Sequence, residues 1–246
     1  MSTMSSLTVL IHGGGSSGRF WDRLVPHLDG PTIAVDLPGR NGIPADLTQL
    51  SVEDEVAAVA AQIRSAAPAG SVTLVAHSSG GLVVPGVVEA LDGRVSDIVL
   101  NAALVPEEGG CGIDCMQPRH REGLQMVVDL ARDGGEMPIL PGPPDDPERF
   151  RTAYGGEPLD DDELAFVIDP VRCVPDTVHH YFQPVRWSLA AGICTTYVIN
   201  TRDRPVTTAM QELMAMRVVE PRVIRLDSGH IPAVTDPRGL AAAILR

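Results

Sequence analysis

Aromatic side chains are scarce in this 246-residue chain: four Phe, three Tyr and two Trp, 4 % of the total. Few platforms remain on which nucleic-acid bases or sugar rings can stack. Basic residues are also short, 19 against 32 acidic ones, and the formal charge of −13 repels phosphate backbones and anionic lipid headgroups. No nucleic acid and no membrane surface is therefore expected among its partners. Four cysteines (Cys111, Cys115, Cys173, Cys194) are too few for a disulfide framework in a chain of this length. Cys111 and Cys115 are spaced C-x3-C, but no second His or Cys pair follows, so neither a metal nor any other cofactor is expected. No apolar run approaches the ~18 residues of a membrane span. The opening MSTMSSLTVL carries no basic stretch and no apolar run of signal-peptide length, so the cytoplasm is the expected location.

What is present points to one globular unit, a monomer or homodimer acting on a small molecule. Hydrophobic residues make up 44 % of the chain, enough for a single buried core. Leu7 to Ile11 is an uninterrupted apolar run, as expected of a strand buried on both faces of a parallel sheet. Similar runs lie at 32–35, 72–76, 97–101, 195–200 and 222–226. Helices are expected between them, around Arg19 to Leu28, from Ser51 to Ala66, after Ser78 to about Leu91, and from Pro237 to Leu245. Ser51 and Asp54 have the spacing of a capping box. Alternation of this kind specifies an α/β fold with a mostly parallel, doubly wound sheet. The stretch 105–191 differs, holding eleven of the 21 prolines and an acidic turn at Asp160-Asp161-Asp162. With helical patterns at Arg121 to Asp133 and Pro175 to Phe182, it reads as a helical cap inserted in a core formed by 1–104 and 192–246.

Three features carry chemistry. Ala76-His77-Ser78-Ser79-Gly80 follows a buried strand and precedes a helix, which places a nucleophile on a tight turn above the sheet. Ser78 has small residues two before and two after it. Ser79 would put His77 at a crowded position, so Ser78 is the candidate nucleophile. His12-Gly13-Gly14-Gly15 ends the first strand, where glycines let the backbone present an N–H to a developing oxyanion. Gly14 and the N–H of Ser79 are the candidate donors. A phosphate-cradling loop is the rival reading, but no G-x-G-x-x-G and no following lysine support it.

The third feature is late in the chain: Asp203 follows one strand and His230 the next. Loops at the carboxyl ends of neighbouring strands let an imidazole reach the serine while a carboxylate fixes its tautomer. His230 alone of the seven histidines follows a C-terminal strand with a glycine before it. Glu107 and Glu108, after the fourth strand, compete with Asp203 for the acid's place. Asp227 shares a strand end with His230 and is expected to point elsewhere. In the cap, His179, Tyr181, Trp187 and Met126 are candidate substrate-binding residues, with Met116, Met137, Tyr154 and Phe166 as further walls of an apolar pocket.

Over nearly its whole length the chain resembles the α/β-hydrolase superfamily, and most of all the group holding plant methylesterases, hydroxynitrile lyases and their bacterial relatives. VLIHGGGSSGRFWDRLVPHL, AVDLPGRNG, LVAHSSGGLVVPGVV, TTYVINTRDRPV and LDSGHIPAVTDP carry the resemblance. It implies an α/β-hydrolase fold, Ser78, His230 and Asp203 as a triad, and Gly14 and Ser79 as the oxyanion hole. Ala76 departs from the usual glycine, and Pro85 is expected to kink the helix after the nucleophile. The implied activity is hydrolysis of a small, largely apolar carboxylic ester or lactone through an acyl-enzyme. The same triad also serves C–C cleavage, lyase or cyclase chemistry, and the same fold serves non-catalytic ligand receptors.

Overall fold

A run of apolar, β-branched residues has no solvent face, so it must be covered on both sides, and the strands of this chain are covered in that way. The computed structural model describes residues 6–134 and 138–245. Strand β1 (Leu7–Ile11) leads through two 3-10 turns, Gly18–Arg23 and Val25–His27, to β2 (Thr32–Val35). Those turns replace the helix expected over 19–28. Pro26 has no N–H to continue an α-helix and disfavours helical backbone in the residue before it. Helix α1 (Val52–Ala66) starts from Ser51, whose hydroxyl accepts from Asp54 N while the Asp54 carboxylate accepts from Ser51 N. Strand β3 (Val72–His77), α2 (Val84–Ala90) and β4 (Val95–Asn101) follow. Pro85 lies in the first turn of α2, where its missing N–H costs nothing, so it begins a helix and does not kink one.

Between β4 and the next strand of the large sheet lie α3 (Pro118–Gly134), β5 (Ile139–Leu140), α4 (Asp161–Ile168) and β6 (Asp176–Thr177). The acidic triplet is the start of α4: Asp160 accepts from Glu163 N, and Glu163 accepts from Asp160 N, which closes a capping box. The helix expected over 175–182 is instead β6, paired antiparallel with β5, and a 3-10 turn at His179–Phe182. Asp176 is drawn into the interior by a buried arginine, and that contact takes precedence over helical propensity. The chain closes with β7 (Cys194–Asn200), α5 (Thr208–Ala215), β8 (Arg222–Leu226), α6 (Pro232–Thr235) and α7 (Pro237–Ile244).

The six long strands form one parallel sheet in the order β2-β1-β3-β4-β7-β8. Alternate residues divide between its faces. Val9, Ile11, Leu74 and Ala76 pack with Val59, Ile63 and Val87 of α1 and α2. Leu10, Val75 and Val198 pack with Trp21, Leu24, Leu240 and Val234 on the other side. Strand order reverses between β1 and β3, and ligands of such sheets bind beyond the carboxyl ends at that crevice. The pairing of Ile11 with Ala76 sets the glycine loop after β1 beside the serine turn after β3. Among the described residues no helix is long and apolar enough to cross a membrane, and no group of three or more His, Cys, Asp or Glu is placed to hold a metal ion.

Candidate active site

Ser78 leaves β3 with a φ of +52°, in the left-handed region that a residue bearing a Cβ rarely occupies. The turn is held there by close approach of backbones: a Cβ on Gly80 would meet His12 O and Ile11 O, and one on Gly13 would meet Ser78 Cβ. Strain of this kind is tolerated where the surroundings over-determine it, and it lifts the Ser78 side chain to the partly exposed crevice above the sheet.

His230 Nε2 lies 3.1 Å from Ser78 Oγ, and His230 Nδ1 lies 2.6 Å from Asp203 Oδ2. Asp203 is buried and its carboxylate is fully engaged. Oδ1 accepts from Val206 N at 2.8 Å, and Gln211 Nε2 donates to Oδ2 at 3.2 Å. A carboxylate held this way fixes His230 with Nδ1–H toward the acid and Nε2 free to accept from the serine. The rival acids point away. Glu108 accepts from Ser188, Glu107 is largely exposed beside Arg217, and Asp227 pairs with Arg202.

Two supports of His230 are assigned no such role by the sequence. His77 Nε2 donates to His230 O at 2.8 Å, and its ring stacks on Phe20 with centroids 5.1 Å apart. Its place immediately before Ser78 is the one signal that marks it. Tyr154 O accepts from His230 N at 2.8 Å, so the segment between β4 and β7 clamps the loop that carries His230.

The glycine loop is held from the other side by a buried cluster. Asp176 Oδ2 accepts from Gly15 N at 2.7 Å, Asp176 Oδ1 pairs with Arg40, and Arg40 Nε donates to Ser16 O at 3.2 Å. Next to it, His180 Nδ1 meets Glu55 at 3.1 Å, with all four side chains in the interior. Burial alone would raise the Asp176 carboxyl, but Arg40, His180 and the Gly15 N–H outweigh it and hold it low. A Cβ on Gly14 would collide with the Tyr181 hydroxyl and crowd Asp176 Oδ2, so a side chain there would displace Tyr181. Ser79 Oγ would lie 3.2 Å from the same Cβ, so Gly14, Ser79 and the Tyr181 hydroxyl are close neighbours.

A cavity of about 260 Å³ opens at Ser78 and His230, walled by Phe20, Phe150, Tyr154, Phe166, Val167 and Ile231. A second, of about 440 Å³, reaches Ser78 from the side of α3, with Leu104, Met116, Leu124 and Val206 in its wall. Of the expected substrate-binding residues, Tyr181 lines both. His179, Trp187 and Met126 line neither. His179 is bound to Leu50 O, Trp187 is buried under residues 106–108 at a separate surface pocket, and Met126 is 61 % exposed on the outer face of α3. Tyr154 and Phe166 lie at the first cavity and Met116 at the second, while Met137 falls outside the described residues.

Burial beneath the site has a consequence for pH. Burial, aided by Arg40, lowers His12 from the ordinary 6.5 to about 4, and burial with the charge of His230 pushes His77 well down. Unfolded chains bind these protons from pH 6.5 downward, whereas native His12 resists until about 4. The stability that neutral His12 contributes is therefore complete above 6.5 and is lost as pH falls toward 4, by about 3 kcal/mol for His12 alone. His180 works oppositely: burial lowers it, yet Glu55 raises it on balance, so its contribution fades as pH rises. Urea unfolding at pH 7.0 and pH 4.5 should show a clear drop in midpoint at the lower pH, and equal midpoints would contradict this account.

Solved structures share the architecture. An extracellular alpha/beta-hydrolase from a Paenibacillus species matches with a TM-score of 0.81 at 17 % identity, over 98 % of each chain. A pyrethroid hydrolase from Sphingobium faniae matches at 0.70 and 20 % identity, over 98 % of this chain and 96 % of that one. A methylesterase from Arabidopsis matches at 0.74 and 18 %, over 98 % of both. No curated protein sequence matches significantly. The sequence model of the alpha/beta hydrolase family matches residues 8–243, nearly the whole chain, and with the parallel sheet described above it places this protein in that family.

Proposed function

We propose that the protein is a carboxylic ester hydrolase that works through an acyl-enzyme on Ser78. The observation that carries this reading is the unbroken run Ser78 Oγ, His230, Asp203 at the mouth of an apolar cavity. His230 Nε2 takes the proton of Ser78 Oγ as the oxygen attacks the ester carbonyl. The carbonyl oxygen becomes an oxyanion, held by the N–H groups of Gly14 and Ser79. His230 then gives its proton to the alcohol oxygen, the C–O bond breaks, and the acyl group stays on Ser78. Water, activated by the same imidazole, attacks the acyl-enzyme and releases the acid. Asp203 accepts from Nδ1–H throughout and stabilises the imidazolium. The names of similar structures, a pyrethroid hydrolase and a methylesterase among them, point the same way.

An acyl-enzyme is a common intermediate, and that can be measured. With methanol added, phenyl butyrate and p-nitrophenyl butyrate should give the same ratio of methyl butyrate to butyrate, because both pass through one butyryl-Ser78. A ratio that changes with the leaving group would exclude the intermediate.

A further inference from the structure

Ser78 is reached from two sides, and the two cavities are built from different side chains. Ser78 and Tyr181 are the only described residues that line both, so the Tyr181 ring stands as the partition between them. The first cavity takes up five of the nine aromatic residues in the chain: Phe20, Phe150, Tyr154, Phe166 and Tyr181. The second is mainly aliphatic beyond the partition, with Leu104, Met116, Leu124, Pro205 and Val206, and Cys115, Arg119 and His120 are also in its wall.

An ester on Ser78 has two halves, and proton transfer decides where each one lies. The alcohol oxygen must come within hydrogen-bond reach of His230 Nε2 to be protonated as it leaves. Among the described residues His230 lines the aromatic cavity and not the aliphatic one. We infer that the aromatic cavity holds the alcohol half of the substrate and the aliphatic cavity holds the acyl half. This assignment rests on the acyl-enzyme reading above and adds a substrate class to it: esters of a ring-bearing alcohol with an aliphatic acid longer than acetate.

The dimensions agree. At about 260 Å³ the alcohol cavity is larger than the cavity of about 150 Å³ that binds a benzene ring in an engineered protein core. Phe and Tyr walls meet a ring by stacked and edge-on contacts that a methyl group does not make. Met, Leu, Val and Pro instead form a wall that adapts to a flexible chain. Both halves are thus larger than in a small methyl ester.

Two substitutions separate the cavities. Leu140, on β5, lines only the first, and Leu124, on α3, only the second. Two ratios of kcat/KM are read for each protein: benzyl butyrate over methyl butyrate, and methyl hexanoate over methyl acetate. Each ratio is taken within one preparation, so a loss of folded protein cancels. The wild-type protein should favour the larger ester in both by about tenfold or more. Leu140→Trp should collapse the benzyl preference with little movement in the hexanoate preference, and Leu124→Trp should do the reverse. A crossed pattern, or ratios that neither substitution moves, overturns the assignment while leaving the acyl-enzyme reading intact. Absence of turnover on every ester by the wild-type protein would overturn both.

Discussion

Ser78→Ala is expected to lower kcat on p-nitrophenyl butyrate by about 10⁵- to 10⁶-fold while the protein stays folded. The fold tolerates the change because the Ser78 side chain makes a single hydrogen bond, to His230, and its positive φ is imposed by the backbones packed around it. Residual turnover should come from the oxyanion donors and from binding alone. His230→Ala should cost a similar factor, and the double substitution no more than either one, since serine and imidazole act as one unit. Asp203→Asn should lose about 10⁴-fold, because Val206 N–H holds the amide oxygen and the NH2 group then faces Nδ1 and selects the wrong tautomer. Circular dichroism and melting of each variant check the fold independently of rate. Multiplying losses in the double variant, or native-like turnover by Ser78→Ala, would remove the triad from the mechanism.

How far the sequence discloses this site depends on which force places each residue. Burial on both faces writes continuous apolar runs such as LTVLI, so the sheet was legible, and with it the strand ends that carry Gly14, Ser78, Asp203 and His230. Strand position alone does not decide the acid, because Glu107, Glu108 and Asp203 all follow strands, and the resemblance selects Asp203. The difference lies in direction: Asp203 turns inward to Val206 N and Gln211, and the two glutamates turn to solvent. The inserted segment was hardest to read. Two-residue strands and 3-10 turns have no periodicity to detect, and the acid triplet at 160–162 looks equally like a turn or a helix start. Trp187 shows the limit of residue type as a guide. An aromatic side chain suggests a pocket wall, yet its packing against the helix layer outweighs that suggestion. Tyr181, six residues earlier, lies at both cavities.

Asp176 carries no sequence signal at all, since its partner Arg40 is 136 residues away, yet its removal is expected to have the largest effect on stability. Both side chains have no exposed surface. Arg40 also donates to Pro38 O at 2.6 Å and to Ser16 O, and Asp176 accepts from Gly15 N and Thr177 N. Asp176→Leu leaves the Arg40 guanidinium buried without its ion-pair partner. Breaking a buried pair in this way costs about 3–5 kcal/mol, because the uncompensated charge cannot reach water. Removing both charges avoids that term, so Arg40→Leu/Asp176→Leu should regain a substantial part of the loss in urea unfolding. Recovery in rate should be smaller than recovery in stability, since the double variant still lacks the carboxylate that fixes Gly15 and, through it, the Gly14 N–H. The divergence separates a positioning role from a merely structural one. If kcat returns in step with stability, Asp176 serves the fold alone; if the single variant unfolds at the wild-type midpoint, the buried pair contributes nothing to it.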